Sequence, residues 1–414
     1  RQTQAPGPDG GRLVADTFYT PTGQIAKVND TYFAAGAPSG ELLPVVNGSV
    51  DLQMAYVYDG AGRTTDAITL VAGAEQWRTV TRYGGDRVHV DPPRGGTPTT
   101  TIVDAAGQLV ELRQYHGAEP SGAADVTHYT YTAAGQLATV TDPSGIQWRY
   151  GYDQRGRKTW AEDPDAGRSE FGYNDLDQLV WSQDARQVRL TSVYDELGRK
   201  RAVYQGDAAT GTKLAAWVFD TRLKGQLFSS TRFVDGQAYA IYTMAQDAFY
   251  RPLQTRYSIP ANAGVGLAKN YDFSTAYNSD GTVQSTSSPA GGGLSAEAVT
   301  YAYDSLQRLT SVRGYAGGFT YAQTGELVRV ALNAGGRSAW VVNTFSEGTK
   351  RLTDAVLNRQ STEEVPRPAS DVKQHYTYDE IGNILSIEDT PATGERDIQC
   401  FTYDHLRRMT EAWS

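Results

Sequence analysis

Between residues 129 and 207, aromatic side chains fall two apart and then recur every 21 residues. Tyr129 with Tyr131, Tyr150 with Tyr152, and Phe171 with Tyr173 form the pairs, and Ser192 with Tyr194 keeps the step. Positions two apart share one face of an extended chain, so each pair predicts a strand. Polar runs punctuate the pattern at the same interval: Asp142-Pro143-Ser144-Gly145, Asp163-Pro164-Asp165 and Asp184-Ala185-Arg186. Trp160 and Trp181 are also one period apart. A fixed period with two marked positions per unit is the signature of a repeat architecture.

The unit running from Tyr152 to Tyr173 shows how one copy folds. Asp153-Gln154-Arg155-Gly156 has Asp first and Gly fourth, the composition of a type I turn closed by a left-handed residue. The carboxylate can accept turn N–H groups, and glycine takes positive φ without a Cβ clash. Residues 157–162 then run outward as a strand, and 163–167 turn it back, with Pro164 supplying φ near −65°. Phe171 and Tyr173 lie on one face of the return strand, as Trp148, Tyr150 and Tyr152 do on the preceding one. Each unit is thus a pair of antiparallel strands of about six residues, roughly 20 Å long. Successive units make a meander.

Less regular copies fill the remainder, so residues 1–414 read as a single array, most regular at 129–207 and looser at 1–128 and 208–414. Phe18 to Ile25 is a degenerate first copy, and Tyr56-Val57-Tyr58-Asp59-Gly60-Ala61-Gly62-Arg63 is a full one. Asp104-Ala105-Ala106-Gly107 and Thr132-Ala133-Ala134-Gly135 keep the turn frame. Later copies start at Phe219, Asp247, Tyr277, Tyr301, Phe319, Tyr376 and Phe401. The copy at Phe219-Asp220 is lengthened before Gly225-Gln226-Leu227. Glycine- and proline-rich inserts such as 289–294 read as longer loops on one rim. Residues 1–10 have no signal-peptide pattern, and no run approaches the ~18 apolar residues that a membrane span needs.

Composition changes the picture in three ways. A hydrophobic content of 39% with 26 Tyr and 43 Gly suits a sheet wetted on both faces, with rings packed across strands, better than one large core. A net charge of −9 argues against nucleic acid as a main partner. Of 38 basic residues only 8 are lysine, and arginine beside many rings can stack on them, each exposed contact contributing about 0.5–1 kcal/mol. The single cysteine excludes an internal disulfide.

The unit Tyr-Asp-x-x-Gly-Arg, with an aromatic two residues earlier, resembles the YD repeat of RHS (rearrangement hotspot) proteins, teneurins and toxin-complex subunits. Tyr58-Asp59 with Gly62-Arg63, Tyr152-Asp153 with Gly156-Arg157, Tyr194-Asp195 with Gly198-Arg199, and Tyr378-Asp379 with Gly382-Asn383 stand closest. Lys224-Gly225-Gln226-Leu227 and the stretch from Cys400 to Arg408 look like wall-associated RHS proteins of actinobacteria. The resemblance runs from about Phe18 to the end. It implies an all-β fold: a ribbon of antiparallel strands spiralling into a hollow shell or cocoon around a carboxy-terminal effector, usually a toxin, with secretion or surface display. Two departures stand out. The Asp-Pro-x-Gly-Leu autocleavage motif that commonly closes the shell is missing before Ser414; Asp142-Pro143-Ser144-Gly145-Ile146 lies mid-array and reads as a turn. No segment looks like an effector, so the expectation is a piece of shell, open at both ends, that can self-associate there.

Catalytic and binding chemistry does not rise above this background. Recurrent aspartates lack the Gly-Gly-x-Gly-x-Asp spacing of a calcium β-roll and read as turn caps. Pairs such as Asp153 with Arg157 are candidate ion pairs, contributing about 0–1 kcal/mol when exposed. Cys400 and His405 invite a nucleophile–base reading, but on a strand and turn they point apart. His89, His116, His128 and His375 show no metal spacing. Gly264-Val265-Gly266 and Gly291-Gly292-Gly293 lack the strand–helix context of a phosphate loop. The expectation is therefore no catalytic, cofactor or metal residues, no cofactor and no enzymatic activity. The expected partner is an effector on the same chain. The alternative is a carbohydrate-binding or adhesion module using exposed Trp148, Trp160 and Trp181 as sugar platforms, with a glycan-cleaving enzyme a third class.

Overall fold

The turn inferred for 153–156 is the turn the backbone makes. In the computed structural model, which describes residues 1–334, 337–359, 371–391 and 395–414, the strand Gln147–Tyr152 bends back into the strand Lys158–Asp163. Tyr150 faces Ala161 and Gly151 faces Trp160, but Tyr152 faces Lys158, so the ladder slips one residue beside the turn. Gly156 has φ 81° and donates its N–H to the Asp153 carbonyl at 3.0 Å. A type I turn followed by a left-handed residue that bulges the ladder is a common hairpin loop. The same slip occurs beside Tyr131, Tyr173, Tyr194, Tyr277, Tyr378 and Tyr403.

Where the fourth turn position is not glycine, the frame persists. Tyr250, Gln307 and Arg407 hold φ 64°, 61° and 61°, and each donates its N–H to the aspartate carbonyl three residues earlier at 2.9–3.1 Å. Asp177 and Gln187, at φ 60° and 63°, close their turns the same way, onto the Asn174 and Asp184 carbonyls at 3.1 and 3.0 Å. Closing hydrogen bonds and the strands on either side override a residue preference of about 1–2 kcal/mol.

Among the described residues there are 33 strands, and every described register is antiparallel between neighbours along the chain. Among the described residues, helix is confined to three single 3-10 turns at Pro8–Gly10, Asn47–Ser49 and Ala261–Ala263. The fold is all-β, as the periodicity predicts. No described helix is long and apolar enough to cross a membrane. The lengthened copy closes as inferred: Asp220 donates to the Gln226 carbonyl at 3.0 Å with Gly225 at φ 81°.

The chain divides into two compact units, Arg1–Val126 with Ala302–Ser414, and Thr127–Tyr301. In the second, tryptophans cover glycines across the ladder. A Cβ added to Gly151 would lie 1.9 Å from Trp160 Nε1, and one added to Gly172 would lie 2.0 Å from Trp181 Nε1. Arg168 stands over the Trp160 ring at 4.7 Å and Arg189 over Trp181 at 4.5 Å. Each ring is thus packed between a bare backbone and a guanidinium.

The most buried side chains of the first unit include Val14 and Val50 and a polar group of Asp16, Asn29 and Gln53. Asp16 accepts from Gln2, Asn29 and the Tyr32 hydroxyl at 2.8–3.0 Å, and Gln53 donates to Asn29 at 2.7 Å. Burial and the Asp16 hydrogen bond push the Tyr32 hydroxyl pKa up. Across both units the fully buried apolar residues are few and mostly alanine or valine. Most strand positions are half-buried on both faces, which fits a sheet without a large filled core.

Candidate functional site

The recurring Asp, Arg and Tyr form one device. Asp153 Oδ1 accepts the N–H groups of Arg155 and Arg157 at 2.9 and 3.0 Å, while Oδ2 accepts from Arg157 Nε at 2.7 Å. Asp59, Asp195, Asp247, Asp304 and Asp404 repeat the pattern with Arg63, Arg199, Arg251, Arg308 and Arg408. The aspartates are turn caps, with both oxygens committed to the chain. The hydrogen bond from the Arg157 backbone N–H is the largest influence holding the Asp153 carboxyl below the ordinary range, followed among the lowering causes by the Arg157 guanidinium.

Arg63, Arg157, Arg199, Arg251 and Arg308 also reach the following repeat. Arg157 sits 4.9 Å from the Tyr173 ring centroid, Arg63 4.3 Å from Tyr83, Arg199 4.4 Å from Phe219 and Arg251 4.2 Å from Tyr277. The tyrosine hydroxyl points back: Tyr152 donates to the Leu137 carbonyl, Tyr173 to Lys158 and Tyr194 to Leu179, at 2.8–3.0 Å. Tyr58, Tyr378 and Tyr403 make the same bond to Ile25, Leu352 and Ile384. The motif is structural machinery that ties each hairpin to the one before it.

Within the first unit, residues 51–125 meet residues 346–408. A Cβ on Gly348 would lie 2.5 Å from Val71 Cγ1, and Lys350 pairs with Asp51 at 3.4 Å. Arg351 stands 5.6 Å from the Trp77 ring and donates to the Asp379 and Glu380 carbonyls, both at 2.6 Å. Glu380 in turn accepts the Arg94 N–H at 2.9 Å. Gly95, at φ 93°, lies against the Asp379 carboxylate so closely that a Cβ there would be 2.0 Å from Oδ2. Only glycine satisfies both demands.

At the far end of this seam, His116, Asp125 and His405 converge. His116 Nε2 lies 2.9 Å from Asp125 Oδ1 and His405 Nε2 lies 2.7 Å from Asp125 Oδ2. The imidazole centroids are 4.2 Å apart with planes tilted 43°. Hydrogen bonds from His116 and then His405 hold the Asp125 carboxyl below its usual range. Their ligand atoms all lie within 4.8 Å of one another. Linear spacing gives no sign of this group, because Asp125 and His405 are 280 residues apart.

The other candidate residues resolve individually. His89 Nδ1 contacts Thr100 Oγ1 at 2.7 Å, and His375 Nδ1 contacts Asp354 Oδ1 at 2.9 Å. His128 is exposed. Cys400 lies on the strand Asp397–Tyr403 facing Ser386 and Trp413, whereas His405 turns Nε2 to Asp125. The stretch from Asp142 to Ile146 is a turn, with Gly145 at φ 84° and its N–H on the Asp142 carbonyl at 3.0 Å. Gly291 pairs with Leu294 in a tight hairpin, and Gly264 ends the Ala261–Ala263 turn, so neither is a phosphate loop. The sugar platforms are engaged internally: Trp148 Nε1 donates to Asp163 at 3.0 Å, and Trp160 and Trp181 lie beneath arginines. In the second unit, Tyr257, Tyr271, Phe273 and Leu267 line an open cleft of about 690 Å³, with Tyr257 and Phe273 edge-to-face at 5.4 Å.

Residues 103–145 and 131–159 match the RHS repeat family model. No curated protein matches the chain by sequence. Among solved structures, the chain is similar to the crystal structure of TcdB2-TccC3, with a TM-score of 0.78, 17% identity and coverage of 100% of this chain and 23% of that one. TcdB2-TccC3-Cdc42 aligns with a TM-score of 0.77 at 17% identity, covering 100% and 22%. The Photorhabdus luminescens Tc holotoxin pore bearing a TccC3 mutation aligns at 0.78 and 17%, also covering 100% and 22%. The likeness is one of fold, and this chain spans under a quarter of each of those chains.

Proposed function

We propose that this chain, which matches the RHS repeat model over residues 103–159 and shares the fold of the TcdB2-TccC3 structure, serves as a structural shell segment of a secreted or surface protein. In this reading residues 1–414 act as one array that encloses or displays an effector carried further along the same polypeptide. The shell has no catalysis of its own. The observation that carries the proposal is the thinness of the sheet. Its repeats are held by turn caps, arginine–tyrosine links and tryptophans laid over glycines, with few fully buried apolar side chains. Such a sheet reaches its fold without filling a core and leaves a broad face to cover something else. Exposed apolar surface on that sheet, as at Tyr257 and Phe273 (42% and 38% exposed), is what a polypeptide cargo would meet.

The test is limited proteolysis of the full reading frame against the downstream segment expressed alone. The proposal expects the downstream segment to resist cleavage only when joined to the repeats. Equal digestion in both contexts would overturn it.

A further inference from the structure

We propose that His116, Asp125 and His405 form a transition-metal site, taking Zn²⁺ or a similar borderline ion, that clasps residues 116–125 to residues 404–408 in the first unit. Two imidazoles and one carboxylate are a donor set for zinc, cobalt, nickel or copper, whereas calcium and magnesium take oxygen ligands. Three protein ligands leave a fourth position for water.

Three observations carry the proposal. Both histidines present the same nitrogen, Nε2, to opposite oxygens of one carboxylate, at 2.9 and 2.7 Å. Their ring centroids lie 4.2 Å apart with planes tilted by 43°, so both imidazoles are held at one point. Donors bound at about 2.0–2.2 Å around one ion lie about 3.3–3.5 Å apart in a tetrahedron. The present donors span up to 4.8 Å, so closing the site needs only a swing of the half-exposed His116 ring.

The second observation is the scaffold. His116 donates its backbone N–H to the Ala123 carbonyl at 3.0 Å, which fixes it beside Asp125. The His405 carbonyl accepts from the Thr97 hydroxyl, and Asp404 caps the turn that carries it through Leu406 and Arg408 N–H. The third is charge. Asp153, Asp195, Asp247 and Asp304 each hold an arginine, whereas the ionic partners of Asp125 are the two imidazoles. A bound cation supplies the balancing charge. Because it joins segments 280 residues apart, its binding energy adds to the stability of the closed seam.

The experiment uses the whole chain, stripped by chelator and titrated with zinc chloride by calorimetry. One equivalent is expected to bind, and His405→Gln and Asp125→Asn each weaken binding tenfold or more. His375→Gln, which removes a lone His–Asp pair, and Cys400→Ser leave it unchanged. No binding, or undiminished binding in both site variants, overturns the proposal. Should the site variants fail to fold by circular dichroism, diethylpyrocarbonate footprinting of the wild type decides. Zinc must then protect His116 and His405 while His128 still reacts; equal labelling of all three with and without zinc overturns the site.

Discussion

Arg157 and Tyr173 are linked twice, once through the ring and once through the backbone. The guanidinium lies 4.9 Å from the tyrosine centroid, and the tyrosine hydroxyl donates at 3.0 Å to the carbonyl of Lys158, the residue after the arginine. Arg157 is meanwhile tied by Nε to Asp153 at 2.7 Å and by Nη1 to the Asn174 carbonyl at 3.0 Å. One side chain therefore closes its own turn and receives the next repeat.

Arg157→Lys keeps the charge but loses the planar fork that makes these contacts together. It is expected to destabilise by about 1 kcal/mol, and Tyr173→Phe by about 0.5 kcal/mol because its hydroxyl is part-exposed. Denaturant midpoints for each variant and the pair check this. Full additivity would show that the two residues act independently.

Turn geometry is tested at Gly156 and Tyr250. Gly156→Val places a β-branched residue at φ 81° and is expected to cost more than 1–2 kcal/mol by about a further kcal/mol. Tyr250→Gly relieves a non-glycine residue at φ 64° and should stabilise by up to about 1 kcal/mol after the added unfolded-state entropy. A neutral Gly156→Val would be incompatible with the turn.

Gly151 and Trp160 make a coupled pair. Gly151→Ala pushes a methyl into the indole and should cost about 1–3 kcal/mol. In a Trp160→Ala background the same change should be close to neutral, a coupling of about 0.5–3 kcal/mol. If Gly151→Ala costs the same in both backgrounds, the ring does not cover the glycine in solution.

Acid sensitivity follows from the caps. The Arg199 guanidinium, and then the Gly225 N–H, hold the Asp220 carboxyl at about 2. An unfolded aspartate titrates near about 3.9, so the folded value is the lower one. The stabilisation is present at neutral pH, erodes below about pH 4 and is lost as pH falls through about 2. Asp153, lowered chiefly by the Arg157 N–H, acts in the same direction. Thermal midpoints for Asp220→Asn should fall less steeply than wild type between about pH 4 and 2. Identical slopes would show that this carboxylate is unperturbed.

The hairpins were legible from residue spacing because everything that makes one lies within a few positions. Asp153, Gly156 and Arg157 form a turn with each other, and the tyrosine two residues after an aromatic finds its partner 15 residues back, in the preceding hairpin. Local hydrogen bonding and strand alternation act over that range, so a repeated sequence writes a repeated structure, even where Tyr250 or Arg407 replaces glycine. What only the tertiary structure decided is which repeats meet across hundreds of residues. Gly95 fits Asp379, and His405 reaches His116 and Asp125, because the arrangement of many strands brings those turns together. No local motif encodes that register. It depends on small twists and insert lengths summed over the intervening strands, and a period read along the chain carries no information about that sum.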